Sequence, residues 1–195
     1  MYTEERLSKN PFFRELLKTE KINDVVDSLT GLITRSQILS FMQSLIQEGT
    51  PFTFGILDLD NFKTVNDTFG HTTGDVVLSE VAKNLIEFLG EDGFAGRFGG
   101  DEFLIIHLKI RSYDEKKAFC DRLFRESTVL NRCIIYGDNI PFITGTFGCA
   151  TFPDDAADYE ELFSLADKVL YRGKTKGRNC YVIYVKEKIW VKAVA

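Results

Sequence analysis

Two segments of the chain end apolar runs in carboxylates: Phe54-Gly55-Ile56-Leu57-Asp58-Leu59-Asp60 and Arg97-Phe98-Gly99-Gly100-Asp101-Glu102-Phe103. Each reads as a strand that delivers acids to a turn. Two such turns set side by side can hold hard divalent cations against a triphosphate, which points to nucleotide chemistry. A carboxylate at the end of a buried strand, as Asp58 would be, is costly without a cation beside it. Magnesium takes a few carboxylate or carbonyl oxygens together with substrate phosphates. Asp58, the Leu59 carbonyl, Asp101 and Glu102 can supply that set if the second turn lies beside the first strand. The alternative is a pair of solvated turns, with Asp58 and Asp60 opening a loop and Asp101 and Glu102 decorating a hairpin.

The acids need elements to hold them. Residues 52–57 are uniformly apolar, as in a strand covered on both faces. Residues 60–70 read as a short helical turn and loop, and residues 73–89 as a long helix with Val77, Val81, Leu85 and Leu89 at helical spacing. Phe94–Phe98 and Phe103–Leu108 form strands joined by Gly99-Gly100-Asp101-Glu102, where paired glycines allow the positive φ of a tight turn. Further helices are expected over residues 35–47, over residues 113–126 and after Asp158, which with Glu161 resembles a capping box. Strands are expected around residues 133–136, 142–152 and 181–185. In the first 27 residues, Asn10 is placed to cap a helix starting at Pro11, with Phe12, Phe13, Leu16 and Leu17 along one face. That stripe can seek a partner helix or fold back on its own domain. The order of elements gives an α+β class: a central, mostly antiparallel sheet of about five strands flanked by helices around a ferredoxin-like, split βαβ core, with an N-terminal helix and a small hairpin.

At 195 residues, 44% hydrophobic and 27% charged, the chain suits one domain with a single core. A net charge of -5 argues against a broad nucleic-acid surface, although a few placed cations can still grip one phosphorylated ligand. Cys120, Cys133, Cys149 and Cys180 form no C-x-x-C pair and lie in apolar runs, as free thiols acting as small hydrophobes would in a reducing cytoplasm. The polar N-terminus does not read as a signal peptide, and no apolar run approaches bilayer length, so membrane contact is not expected.

The chain resembles the GGDEF domain of bacterial diguanylate cyclases over about residues 24–186, on four ordered motifs. Asp27-Ser28-Leu29-Thr30-Gly31-Leu32 looks like the entry motif, with Thr34 where Asn is usual. Asp58 to Asp67, then Gly70-His71-Thr72-Thr73-Gly74-Asp75, follow the metal and guanine segment. Gly99 to Phe103 is the signature, and Ala166 to Asn179 resembles the closing motif, with Gly173 for the usual Ala. The resemblance implies condensation of two GTP into cyclic di-GMP and pyrophosphate, with two Mg2+ per site, Mn2+ being possible, held by Asp58, Leu59, Asp101 and Glu102. Asp101 would also serve as general base. Asn61, Phe62 and Lys63 would hold the outer phosphates, Lys174 and Arg178 would reach the same triphosphate, and Asn66 with Asp75 would read guanine. Guanine offers N1–H and N2–H2 donors to a carboxylate, whereas the lone pair on adenine N1 would be repelled. For Asn66 and Asp75 the structural alternative is helix capping, and for the Arg172, Lys174, Lys176, Arg178 cluster it is a helix C-terminal dipole. His71 matches a loop position with either an ordering or a catalytic role, and His107 reads as a packed core histidine.

Turnover would need a homodimer with two half-sites facing each other, and residues 1–26 would form a helical linker or signalling helix open to a sensor domain or partner. Residues 27–186 would form the cyclase domain and 187–195 a C-terminal tail. The main rival is a catalytically silent GTP receptor acting through a partner protein, which the intact Asp101 and Glu102 disfavour. A palm-type polymerase or purine cyclase is disfavoured by the guanine segment and the acidic chain. The family's R-x-x-D product-binding motif is missing, since Gly90 and Gly93 stand at its two positions.

Overall fold

A computed structural model of the chain describes residues 1–186 and 190–193. Three short helices, α1 (Glu4–Leu7), α2 (Pro11–Leu16) and α3 (Ile22–Val25), precede α4 (Arg35–Gln47) and β1 (Phe52–Leu59). Two helices, α5 (Phe62–Phe69) and α6 (His71–Leu89), lead to a hairpin of β2 (Gly93–Gly99) and β3 (Glu102–His107). Then come α7 (Tyr113–Arg125), a small hairpin of β4 (Arg132–Cys133) and β5 (Phe142–Ile143), β6 (Gly145–Phe152), α8 (Tyr159–Thr175), β7 (Cys180–Ile183) and β8 (Trp190–Ala193).

The main sheet runs β2-β3-β1-β6-β7-β8, and every pairing is antiparallel except that of β6 with β7. The expected class therefore holds, and the sixth strand, β8, comes from the segment read as a tail. All eight residues of β1 are buried, which is why that strand carries no alternation of polar and apolar residues. Phe54 meets Phe163 of α8 at 5.6 Å between ring centres. The next residue, Gly55, faces the other way, toward Phe147, which packs on Phe119 of α7 at 6.2 Å. Helix α8 lies directly on β6: a Cβ added to Gly148 would stand 2.5 Å from the Leu170 backbone nitrogen. A glycine is what permits that approach. His107 is half-buried edge-on to Phe119, and burial holds its imidazole below the ordinary range.

The N-terminal residues fold back on the domain. Asn10 caps α2 as expected, its Oδ1 accepting from the Phe12 amide at 2.9 Å, and Pro11 opens the helix. Phe13 is fully buried, 4.9 Å from the Phe41 ring on α4 and 5.5 Å from Phe94 on β2. Burying such a ring is worth about 1.5–3 kcal/mol, so the apolar stripe has found its partner within the chain. The Tyr2 amide donates to Gly31 O at 3.0 Å, and Tyr2 Oη accepts from the Ala95 amide at 2.9 Å. Arg6 donates to the carbonyls of Ile86 and Gly90 at the end of α6. Cys120, Cys149 and Cys180 are buried as expected, whereas Cys133 is exposed, because its hairpin stands outside the main sheet.

Candidate active site

Antiparallel register sets Asp58 of β1 opposite Glu102 of β3, so the two acidic turns meet at one end of the sheet. The solvated-turn alternative is excluded for Asp58, which is 8% exposed. Burial pushes the Asp58 carboxyl above its ordinary range, and the Lys174 ammonium, donating to Asp58 Oδ2 at 2.7 Å, only partly opposes this. Glu102 is raised as well, by burial first and by the charge of Asp58 second. The Leu59 amide donates to Asp101 O at 3.1 Å, which ties the hairpin tip to the strand end. Among the described residues no group of three or more His, Cys, Asp or Glu side chains is arranged to hold a metal. The acids brought together are Asp58 and Glu102, with Leu59 and Asp101 joined to them through the backbone. This donor set fits a hard divalent cation: it is all oxygen, and burial together with the charge of neighbouring acids raises both carboxyls, an effect a divalent cation would offset. Mg2+ commonly needs only one or two carboxylates besides substrate phosphates.

The hairpin carrying Asp101 and Glu102 has its own supports. A register shift between Arg97 and Gly99 bulges the strand just before the turn, and Gly100 takes φ +50°. Only one of the two glycines expected at positive φ uses that freedom. Arg97 reaches Gly100 O at 3.1 Å and Asp27 Oδ1 at 3.3 Å. Asp27 in turn accepts from the Thr30 amide at 2.8 Å and the Thr30 hydroxyl at 2.6 Å. Burial works to raise the Asp27 carboxyl, but the Thr30 bonds and Arg97 together hold it below its ordinary range. Arg97 thus links the entry turn to the signature turn.

Beside the acids, the chain leaves β1 through Asn61, in the left-handed region at φ +54°, and enters α5. The first amides of a helix have no intrahelical acceptors and carry the positive end of its dipole. Phe62 is buried there, while Lys63 is exposed. Gly70, at φ +84°, separates α5 from α6, whose first residue is the exposed His71. Asn66 lies inside α5 and Asp75 inside α6, so neither is a cap, and neither side chain is hydrogen-bonded among the described residues. A Cβ added to Gly74 would stand 1.9 Å from Asn66 Oδ1 and 3.2 Å from Phe62 Cζ. The two helices touch at Gly74, and Asn66 is directed to the start of α6, where Asp75 follows.

Lys174 lies in the last turn of α8, and its ammonium goes to Asp58 rather than to the helix C-terminus. Arg178 follows in an exposed loop. The sequence reading gave no role in the site to Asp60, whose carboxylate accepts from Thr144 Oγ1 at 2.9 Å, Thr146 Oγ1 at 2.7 Å and the Asn179 amide at 2.8 Å. The signal available was its place two residues after Asp58.

A protein-family model described as "Diguanylate cyclase, GGDEF domain" matches residues 24–180, and the chain belongs to this family. The chain is 33% identical over 171 residues to the diguanylate cyclase DosC of Escherichia coli K12, covering 85% of this chain and 36% of DosC. It is 31% identical over 172 residues to the diguanylate cyclase DgcP of Pseudomonas aeruginosa, covering 86% of this chain and 25% of DgcP. The chain therefore spans about a third or less of these relatives. Among solved structures, the coiled coil and GGDEF domain of DgcB from Caulobacter crescentus, in complex with c-di-GMP, superposes with a TM-score of 0.75 at 26% identity, covering 92% of this chain and 96% of that one. The diguanylate cyclase SiaD of Pseudomonas aeruginosa, in complex with its activator SiaC, gives 0.74 at 27% identity, covering 89% and 67%.

Proposed function

We propose that the domain is a diguanylate cyclase. The 3′-hydroxyl of one GTP attacks the α-phosphate of another with loss of pyrophosphate, and a second, symmetric attack closes cyclic di-GMP. The observation that carries this reading is the register of β1 against β3, which sets buried Asp58 opposite Glu102 next to the start of α5. Mg2+ or Mn2+, held by Asp58, the Leu59 carbonyl, Asp101 and Glu102, supplies positive charge to the reacting and leaving phosphates when bound. Asp101 takes the proton of the attacking hydroxyl. The amides of Asn61, Phe62 and Lys63 and the Lys63 ammonium hold the outer phosphates, and Lys174 turns from Asp58 to join them with Arg178. Asn66 and Asp75 meet the guanine edge, and His71 orders the loop between the two helices.

One chain offers one half-site, so ring closure requires a second copy in antiparallel orientation. In this reading residues 27–186 are the catalytic unit, with β8 added to its sheet edge, and residues 1–26 the arm through which a sensor or partner would act. The GTP requirement assigns the work to the cytoplasm, and no helix among the described residues is long and apolar enough to cross a membrane. Incubating the protein with GTP and Mg2+ and identifying the product by mass spectrometry tests the reading. Cyclic di-GMP that disappears in Asp101→Asn supports it, and unchanged GTP at concentrations where the chain is dimeric overturns it.

A further inference from the structure

We propose that Asp60 is a positioning residue for the triphosphate: its carboxylate fastens the loop after α8 to the end of β1 and so sets Arg178 and Lys174 against the start of α5. The inference rests on the nucleotide reading above.

Asp60 stands between the buried Asp58 and the phosphate-loop residue Asn61, where residue type alone suggests another metal ligand. Its oxygens are committed elsewhere. Oδ1 accepts from Thr146 Oγ1 at 2.7 Å, and Oδ2 accepts from both Thr144 Oγ1 at 2.9 Å and the Asn179 amide at 2.8 Å. The Asp60 amide donates to Thr144 O at 2.9 Å, which locks the same residue to the strand entry of β6. A carboxylate that already satisfies three donors, from Thr144, Thr146 of β6 and the α8 loop, has little acceptor capacity left for a cation beside Asp58.

The loop it holds needs holding. Gly177, Arg178 and Asn179 take consecutive positive φ values of +116°, +64° and +45°. L-residues adopt that region reluctantly because Cβ crowds the following carbonyl. On the helix side, the Arg178 amide donates to Gly173 O at 3.2 Å. On the sheet side the Asn179 amide is held by Asp60, one residue before Cys180 enters β7 opposite Thr146, while the Asn179 Oδ1 is buried without a partner. The residue is thus anchored through its backbone, and releasing Asp60 frees the turn that presents Arg178. Lys174, one turn earlier, already touches Asp58. The short run from Asp58 to Lys63 thereby joins a cation donor, a latch for two basic residues and the amides of a helix start.

The latch requires acceptor geometry more than charge. An asparagine whose Oδ1 takes the place of Asp60 Oδ2 keeps the Thr144 and Asn179 bonds, and its amide can donate to Thr146 Oγ1. A metal ligand would behave in the opposite way, because Asn would fail about as badly as Ala.

The test compares Asp60→Ala with Asp60→Asn in the full chain, measuring cyclic di-GMP formation against GTP and Mg2+ together with hydrogen exchange at the Asn179 amide. We expect Asp60→Ala to raise KM for GTP by about ten-fold or more with the Mg2+ requirement unchanged, and Asp60→Asn to stay within about three-fold of the parent. Arg178→Ala should add little to Asp60→Ala, since coupled residues are non-additive. The Asn179 amide should exchange faster in Asp60→Ala and remain protected in Asp60→Asn. Equal loss in both variants with a raised Mg2+ requirement would overturn the proposal, as would additivity of Asp60→Ala with Arg178→Ala. Should Asp60→Ala fail to fold, the near-isosteric Thr144→Val decides: a KM raised about three-fold with faster Asn179 exchange supports the latch, and no change in either refutes it. A parent protein that converts no GTP would instead defeat the cyclase reading, and the Asn179 exchange would still decide whether Asp60 holds the loop.

Discussion

If Asn66 reads guanine as proposed, Gly74→Ala separates folding from guanine binding at one atom. Gly74 lies in α6 with its Cα against Asn66, and an added Cβ would come within 1.9 Å of Asn66 Oδ1, far inside the contact of about 3.5 Å that unbonded heavy atoms prefer. The atom in the way is the tip of a flexible side chain, so the fold relieves the overlap by rotating Asn66. The Phe62 ring at 3.2 Å yields by a few tenths of an ångström. Alanine in a helix interior is favoured over glycine by about 0.5–1 kcal/mol, which offsets the adjustment. Thermal stability should therefore hold within about 2–4 °C of the parent, the shift that 1 kcal/mol produces in a domain of this size. On the proposed reading the displaced Asn66 no longer meets guanine. One lost hydrogen bond with a base donor left unpaired amounts to about 1.5–3 kcal/mol, or roughly ten- to a hundred-fold in KM for GTP. Steady-state kinetics and a melting curve on one preparation measure both. The double variant Gly74→Ala with Asn66→Ala should be no worse than Asn66→Ala alone, because both remove the same group. An unchanged KM in Gly74→Ala, or full additivity in the double variant, would refute the placement of Asn66.

Three further outcomes follow from the site. Asp58→Asn should abolish product without lowering the melting temperature. The Asp58 carboxyl is raised above 3.8 in the fold, so its contribution to stability is complete below that pH and is lost as pH rises through the raised value. A melting temperature several degrees lower in the variant at neutral pH would contradict this. Asp27→Asn should destabilise the domain at neutral pH and converge with the parent in acid. The Asp27 carboxyl is held below 3.8, so its stabilising effect is present above that pH and disappears as pH falls through the lowered value. Equal destabilisation at neutral pH and at about pH 2.5 would show that the loss is one of packing rather than charge. Cyclic di-GMP titrated onto Asp101→Asn by calorimetry should show no sub-micromolar site. Gly90 and Gly93 offer no side chain to bind it, and the Gly90 carbonyl is already occupied by Arg6.

Much of the fold was legible because its signals are local. The uniform apolar run of β1, the glycines of the hairpin and the Asn10-Pro11 start of α2 each act through their own backbone. The start of α8 departs slightly: Asp158 accepts from the Glu161 amide, but the Glu161 carboxylate reaches Ala157 rather than Asp158. The capping box was realised one helix earlier, at Ser112 and Glu115. What was not legible depends on long-range packing. Periodicity showed that Phe13 needs a partner but could not show that Phe41 and Phe94 would supply it. The exposure of Cys133 could not be read either, since an apolar neighbourhood in sequence does not say whether a hairpin joins the main sheet.

Asp58 and Asp60 show why the site was only half readable. Residues two apart on a strand share a face, so both acids would address the same cation if β1 continued. The strand ends at Leu59, and Asn61 at φ +54° turns the chain into α5 within two residues. Asp60 still pairs with the entry to β6 through its amide, and its carboxylate is taken up by Thr144, Thr146 and the Asn179 amide, while Asp58 stays opposite Glu102 and within reach of Lys174. Residue type and spacing identified the acidic segment, but which of its two carboxylates is left for a cation, on the proposed reading, depends on the donors that Thr144, Thr146 and Asn179 bring from far along the chain. A pattern of D-x-D at a strand end therefore marks two acids whose separate roles are set by the donors that neighbouring elements bring to each, which spacing alone does not show.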